Sequence, residues 1–546
     1  MASRHRGADA LVRALTNAGV RRVFTLSGNH IMSVFDAALD AGISLVHTRH
    51  EAAAVFMADA WGRLTGEPGI ALVTGGPGHA NAVGALYTAA MAESPLVLLS
   101  GHAPNGQLGT GAFQEMRQAE IAAPLTRLAF TSASADDIAR DLGRAIRTAR
   151  SGRSGPVHLS LPTDCLDGEA DINSVPGAEA FRAETAALDA GAADAMLARL
   201  RGARRPVILA GPGLMTRTGR AGLATLEHAL QIPVIGMESP RGLADSSLGA
   251  VAPLLAQADC VLLLGKRLDY TLKFGKPPTF GEGCAFLQID ADAEEIARSA
   301  QAIGARLAVS ALASPLAAME TLTHQANAAA AKSTWRDEVR AAIAYRPDGW
   351  AAATSRQNGR LHPLHVHLPL QAVLDEHADS VLILDGGEFA QWAQACLVAP
   401  NRVSNGVAGA IGAGLPFAVA ARLAKPEAPV IAIMGDGTFG FHPAEIDTAV
   451  RYGLPFVAIV GNDARWNAEY QIQLRDYGPN RVGGCELLAT RYDRVAQGFG
   501  GYGELVTRAD EVLPAVRRAV ASGLPACINV ILEGHAAPTF APGVSM

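Results

Sequence analysis

Two acidic residues at the ends of apolar runs carry the strongest chemical signal in this chain. Gly435-Asp436-Gly437-Thr438 follows the run Pro429 to Met434, and Asn462-Asp463 closes the next run, Pro455 to Gly461. If the runs are neighbouring strands of a parallel sheet, both turns fall at carboxyl ends, where open α/β sheets bind ligands. Paired carboxylates there are hard oxygen donors of the kind magnesium takes, commonly together with phosphate oxygens. Glycines beside them let the backbone approach a diphosphate closely. Taken alone, Gly-Asp-Gly is equally an ordinary strand–turn–helix with a capping Asp.

Other candidates stand at similar turns. His50-Glu51 opens a helical pattern, Ala52 to Leu64, and a carboxylate at a helix N-terminus favours its ionised form. Gly75-Gly76-Pro77-Gly78-His79-Ala80-Asn81 follows a run ending at Thr74, and Asp385-Gly386-Gly387-Glu388-Phe389 follows Val381-Leu384. Gly409-Ala410-Ile411-Gly412-Ala413-Gly414 places one bulky aliphatic among glycines. His30 lies in a strand-to-helix turn, Gln114 in Phe113-Gln114-Glu115, and Glu469 shortly after Asp463. Each has an ordinary reading too: Glu51 and His30 as helix caps, Ile411 as core, Glu469 as a solvated helix residue.

The elements that must hold these residues alternate short apolar runs with helical periodicity, the pattern of parallel α/β units. The first block has runs at Val23-Leu26, Ser44-Thr48, Ile70-Thr74, Leu96-Ser100 and Val157-Leu161. Polar, acidic sequence from Asp167 to about Ala190 reads as a linker. The second block has Pro206-Ala210, Pro233-Met237, Val261-Leu264 and Phe286-Ile289. An Ala-rich helix and a polar connector span Asn327 to His362. The third block has Val381-Leu384, Val430-Met434, Phe456-Val460 and Ala526-Leu532. The expected fold is α/β, three doubly wound parallel-sheet domains at 1–170, 190–325 and 360–535. The tail after Gly534, rich in Ala and Pro, is placed to cover a site.

Composition narrows the function classes. A net charge of −6 with no basic stripe argues against a nucleic-acid partner. No apolar run approaches the roughly 18 residues that a membrane span needs. Six cysteines without Cys-x-x-Cys spacing read as reduced thiols rather than disulfides or a zinc site. Met1 to Arg6 leads straight into an amphipathic helix with no signal-peptide core, so a cytoplasmic location is expected.

The Gly-Asp-Gly and Asn-Asp turns resemble the diphosphate-binding signature of thiamine diphosphate (ThDP) enzymes, of the acetolactate synthase, benzaldehyde lyase and 2-hydroxyacyl-CoA lyase kind. The resemblance covers essentially the whole chain and implies pyrimidine-binding, middle and diphosphate-binding domains in that order. It implies ThDP and Mg2+, with Asp436, Asp463 and the backbone carbonyl of Arg465 as the metal's protein ligands. The family usually has Asn where this chain has Asp463; both supply oxygen, and Asp adds a negative charge. Gly435, Gly437 and Thr438 belong to the same turn. Glu51, in Thr48-Arg49-His50-Glu51-Ala52-Ala53-Ala54, takes the place of the Glu that hydrogen-bonds N1′ of the cofactor's aminopyrimidine and so activates it. Pro77 and Asn81 match the turn beside the pyrimidine. Ile411 matches the residue under the cofactor's bend, with the Gly409 carbonyl accepting from the 4′-amine. The amides around Glu388 and Phe389 are expected to meet the diphosphate, with the Glu388 side chain turned away from it.

The substrate side is less determined. His30 and Gln114 resemble proton-handling groups of benzaldehyde lyase, and Phe113-Gln114-Glu115 also resembles acetolactate synthases. Glu469 resembles a proton-shuttling Glu of pyruvate-decarboxylase-type enzymes, while His79 and Trp466 are weaker candidates for lining the site. Gly265-Lys266-Arg267-Leu268-Asp269-Tyr270 looks like the middle segment of 2-hydroxyacyl-CoA lyases, which carries an ADP or CoA-related site. FAD there is conceivable but not indicated. The implied activity is a carbon–carbon lyase or carboligase on small 2-keto acids or 2-hydroxyketones. A flavin-linked pyruvate-oxidase-like oxidoreductase and a 2-hydroxyacyl-CoA lyase are the alternatives. The implied assembly is a homodimer or homotetramer, with active sites formed between the first domain of one subunit and the third of another.

Overall fold

The apolar runs form strands buried along their whole length. Gly69–Val73, Leu96–His102, Pro156–Pro162 and Val381–Asp385 have no exposed position. Parallel strands covered by helices on both faces read as continuous apolar stretches rather than alternating ones, which is why they stand out in the sequence. The computed structural model describes residues 5–326 and 334–540. Met1 to Arg4, the Ala-rich stretch at 327–333 and the last six residues lie outside the described residues. The helix expected near the N-terminus is Gly7–Asn17, and Thr334–Ala344 is helical within the connector.

Three parallel sheets are present, of six, five and six strands. The strands of the first are Arg22–Thr25, Ser44–His47, Gly69–Val73, Leu96–His102, Leu128–Thr131 and Pro156–Pro162. Those of the third are Val381–Asp385, Asn401–Ser404, Val430–Gly435, Val457–Asn462, Tyr502–Val506 and Ala526–Ile531. Numbered within each sheet, both run in the order 2-1-3-4-6-5, and the middle sheet in the order 2-1-3-4-5. The strand order reverses between strands 1 and 3 in every case. That reversal leaves a crevice at the carboxyl ends, the usual ligand position in such sheets.

The strands not legible as apolar runs are Leu128–Thr131, Leu307–Leu312, Asn401–Ser404 and Tyr502–Val506. All four are sheet edges. Leu307–Leu312 alternates half-buried and exposed positions, so it lacks a continuous apolar signal.

Contacts divide the chain into two compact units. One comprises the residues up to Glu184 together with Val419–Ala424 and Asp447–Tyr452; the other holds the middle and third sheets. The first sheet packs Val23, Ile70, Val97 and Leu159 into a core with Leu11, Leu142 and Ile146 from its helices. The middle sheet is covered on both faces. Ile208, Leu262 and Ile289 point to one core, and Val207, Val261 and Phe286 to the other, as a period of two requires. The stretch Asp167 to Ala190 is not a free linker. Glu169–Ala170 pairs antiparallel with His5–Arg6, and Phe181, only 2% exposed, completes the first core. The polar residues around Phe181 hid one buried aromatic, whose burial contributes about 1.5–3 kcal/mol. All six cysteines are free. Among the described residues no helix is long and apolar enough to cross a membrane.

Candidate active site

The reversal point of the third sheet opens into a cavity. It is lined by the turns after strands 1 and 3, Gly386–Phe389 and Gly435–Thr438, and by the loop after Val457–Asn462. Asp436 is 2% exposed, and its Oδ2 is buried with no hydrogen-bond partner in the protein. Burial pushes its acid group up to about 6, against the backbone amides of Gly437, Ala464 and Arg465. Burial, then the charge of Asp436, pushes Asp463 up to about 7. A buried carboxylate with an orphaned oxygen beside a half-buried one whose acid group it helps to raise is a donor set that a divalent cation would satisfy. Among the described residues no cluster of three or more His, Cys, Asp or Glu could hold a metal. A metal held by this pair would need its further ligands from backbone or bound molecules.

The local backbone is shaped for close approach. A Cβ on Gly435 would meet nothing within 4 Å, so the turn leaves room for phosphate oxygens. Gly386 has φ +96, and a Cβ there would come within 2.5 Å of Thr438 Oγ1. Ala464, between Asp463 and Arg465, sits at φ +59, an uncommon conformation for a residue with a side chain. It is held by Leu487 N–H donating to its carbonyl at 2.7 Å and by Trp466 N–H donating to Cys485 O at 2.8 Å.

Asp385, the last residue of strand 1, organises the rim. It is wholly buried, and Oδ2 accepts from Gly412 N at 3.1 Å and Gly414 N at 2.5 Å. Burial pushes its acid group up to about 7, the amides pulling the other way. His442 Nδ1 lies 2.7 Å from Gly412 O. Just before these anchors Ile411 lies half-buried against the cavity, with Gly409 on the same wall. Because Ile411 is not core, Ile411→Ala should cost far less stability than the roughly 2–5 kcal/mol of a buried aliphatic truncation. It should nevertheless lower kcat and cofactor affinity; thermal melts with and without cofactor separate the two effects.

Glu469 lines the same cavity from the first turn of helix Asn467–Tyr477, and Trp466 packs its ring against Gly437. Glu388 opens helix Glu388–Cys396, and its carboxylate is met by Arg241 at 2.6 Å. Phe389 turns its side chain into the core beside Gly461. The chain after Gly534 is docked here as well. Asn467 Nδ2 donates to His535 O at 2.8 Å and Trp392 Nε1 to Ala536 O at 2.9 Å, with the His535 ring 4.2 Å from that of His362.

The other predicted residues gather at the reversal point of the first sheet. Glu51, 9% exposed, begins helix Glu51–Thr65 after His50, whose Nδ1 accepts from Ala52 N at 3.1 Å. Asn81 Nδ2 donates to Glu51 Oε2 at 3.1 Å, and Pro77 begins the helix that carries Asn81. His30 Nδ1 lies 3.0 Å from Thr74 Oγ1, and its ring stacks on Phe113 at 5.9 Å. Burial lowers its pKa below the usual imidazole range. Gln114 follows at φ +57, its backbone against Gly76. His79 does not line this group. It is fully buried, 2.9 Å from Ser100 Oγ, and burial lowers its pKa to about 4.

The sequence reading missed Gln118, which ties this turn together. Its Oε1 accepts from Gly76 N at 2.8 Å, while Nε2 donates to Gly101 O at 3.1 Å and Ser160 Oγ at 3.2 Å. It also missed Pro240 and Arg241, contributed to the cavity from the middle domain. Neither has a motif around it that could have pointed to the site.

Comparison with known proteins gives three family-model matches. They are the thiamine pyrophosphate enzyme N-terminal TPP binding domain over residues 5–121, the central domain over 193–316 and the C-terminal TPP binding domain over 385–530. The acetolactate synthase large subunit IlvG of Mycobacterium tuberculosis is 35% identical over 96% of this chain and 95% of that protein. The 2-hydroxyacyl-CoA lyase 2 of Homo sapiens is 31% identical over 97% of this chain and 90% of that protein. Among solved structures, the Rhodococcus jostii RHA1 thiamine diphosphate-dependent 4-hydroxybenzoylformate decarboxylase superposes with a TM-score of 0.83 at 21% identity. That match covers 97% of this chain and 100% of the other, and it bears on the fold alone.

Proposed function

Since the chain belongs to the thiamine pyrophosphate enzymes and is a ThDP-dependent enzyme, we propose that it is a carbon–carbon lyase or carboligase acting on 2-keto acids or 2-hydroxyketones, in the manner of acetolactate synthase or benzaldehyde lyase. The observation that carries this is the cavity itself, which joins an open glycine cradle, the carboxylate pair Asp436 and Asp463, and Ile411 in one place. When bound, the cofactor supplies a carbon nucleophile and an electron sink for breaking and making C–C bonds.

The protein's own residues divide the remaining tasks. Asp436, Asp463 and the Arg465 carbonyl would hold Mg2+ against the diphosphate, with Gly435, Gly437 and Thr438 lining it. Glu51, oriented by Asn81, would accept the hydrogen bond of the aminopyrimidine. Pro77 would shape the turn beside that ring, and the Gly409 carbonyl would accept from its amine. His30, Gln114 and Glu469 would hold or move protons on the substrate's oxygen and carbon. The domain bounds 1–170, 190–325 and 360–535 and an active site completed between subunits of a homodimer or homotetramer belong to the same proposal; sedimentation would give the assembly.

A 2-hydroxyacyl-CoA lyase is the second reading, supported by near-full-length relatives of that description. The deciding experiment supplies ThDP and Mg2+ with pyruvate, benzoin and a 2-hydroxyacyl-CoA in parallel and identifies products by NMR. Acetolactate from pyruvate or aldehyde from benzoin supports the first reading. Turnover of the CoA ester alone replaces it with the second, and reduction of a bound flavin would replace both.

A further inference from the structure

Arg241 has no role in the chemistry assigned so far. It lies in the turn after the middle-sheet strand Val234–Gly236 and lines the cavity beside Glu388 and Ile411. Its position is fixed. A Cβ on Gly409 would come 3.4 Å from Pro240, and Gly242 at φ +55 is pressed against the Thr271 backbone. The Arg402–Glu238 ion pair at 3.1 Å and the Tyr270 hydroxyl donating to Val407 O at 2.9 Å hold middle-domain segments to the third domain.

Glu388 is 8% exposed at the start of its helix, so little water screens its charge. The cavity already has Asp436, Asp463 and Glu469 on its wall, and a further carboxylate would repel anions. Arg241 Nη2 donates to Glu388 Oε2 at 2.6 Å and cancels that charge. Among the described residues no other side-chain acceptor is recorded for this guanidinium, which is 36% exposed. The second wall cation, Arg465, is stacked on Tyr470 at 4.3 Å. A guanidinium with one donor tethered keeps a planar edge suited to a carboxylate or phosphate.

We propose that Arg241, held by Glu388, is the anion-contacting residue of this cavity and takes an oxygen of a phosphate or carboxylate group bound there. The proposal rests on the cavity being the cofactor site. Diphosphate and a keto acid's carboxylate share the required chemistry, and the experiment separates them.

The full-length protein, wild type and Arg241→Gln, Arg241→Lys and Glu388→Gln, is titrated calorimetrically with ThDP plus Mg2+. The ThDP-loaded forms are then titrated with oxamate, an unreactive carboxylate analogue of pyruvate. Arg241→Gln should weaken one of the two by about tenfold or more, the value of a charge-assisted contact. Arg241→Lys should keep most of the affinity. Glu388→Gln should tighten the same ligand, because the competing charge is gone. Weaker ThDP assigns the contact to diphosphate, and weaker oxamate with unchanged ThDP assigns it to the substrate carboxylate. Unchanged affinity in both titrations overturns the proposal. If Arg241→Gln does not fold, Glu388→Gln decides by its sign, since unchanged or weaker binding also overturns it. Failure of the wild type to bind ThDP would instead defeat the reading of the cavity.

Discussion

Glu51→Gln is expected to lower kcat by about 10²–10⁴-fold, the range for losing a positioned acid–base group, while cofactor affinity and thermal stability change little. The expectation follows from where Glu51 sits. It is almost wholly buried, one oxygen is held by Asn81, and it is the first residue of a helix whose N-terminus favours its charge. Glutamine keeps the size and the Asn81 contact but loses the negative charge through which Glu51 would act on the aminopyrimidine. Rates and calorimetric ThDP titrations of the same preparations check it. Activity within twofold of wild type would remove Glu51 from the mechanism, and loss of binding equal to the loss of rate would make it a binding residue only.

The second large effect concerns the carboxylate pair. Asp436→Ala should weaken ThDP binding by a hundredfold or more, because removing one partner of a buried charge arrangement costs about 3–5 kcal/mol. Asp463→Asn should be tolerated, since it keeps an oxygen and removes a carboxylate that the charge of Asp436 opposes. In the wild type, ThDP and Mg2+ at a hundred times their dissociation constant should add about 2.7 kcal/mol of stability. EDTA should take this away, lowering the melting temperature of the loaded protein to that of the bare one. A loaded melting temperature indifferent to EDTA would mean that no metal links the cofactor to Asp436.

What could be read from the sequence follows from burial. Central strands such as Val430–Gly435 are apolar throughout, so their ends, and the Asp436 and Asp463 turns, could be placed without a structure. Edge strands such as Leu307–Leu312 are partly wet and left no comparable trace. The same contrast holds at the site. Residues embedded in glycine-marked turns were legible because the turn itself is unusual. Gln118 acts through a long side chain from an ordinary helix, and Arg241 reaches Glu388 across 147 positions. Neither the periodicity of a helix nor the composition of a loop encodes such a meeting. The core contact of Phe181, within the stretch that reads as a linker, is hidden for a related reason: a single buried ring in a polar stretch has no period to betray it.

The docking of His535 and Ala536 beside Asn467 and Trp392 gives the protein an intrinsic optical reporter. Trp392 is 2% exposed, its indole N–H is bound to Ala536 O, and the rings of His362 and Trp350 lie 5.1 and 5.3 Å away. Indole emission depends on its hydrogen bond and on polar neighbours, so the part of the emission that Trp392 contributes responds to whether His535 and Ala536 are seated. The helix that presents Glu469 starts at the same contact. A substitution at His535 or Ala536 would therefore load a segment that adjoins the wall of the cavity.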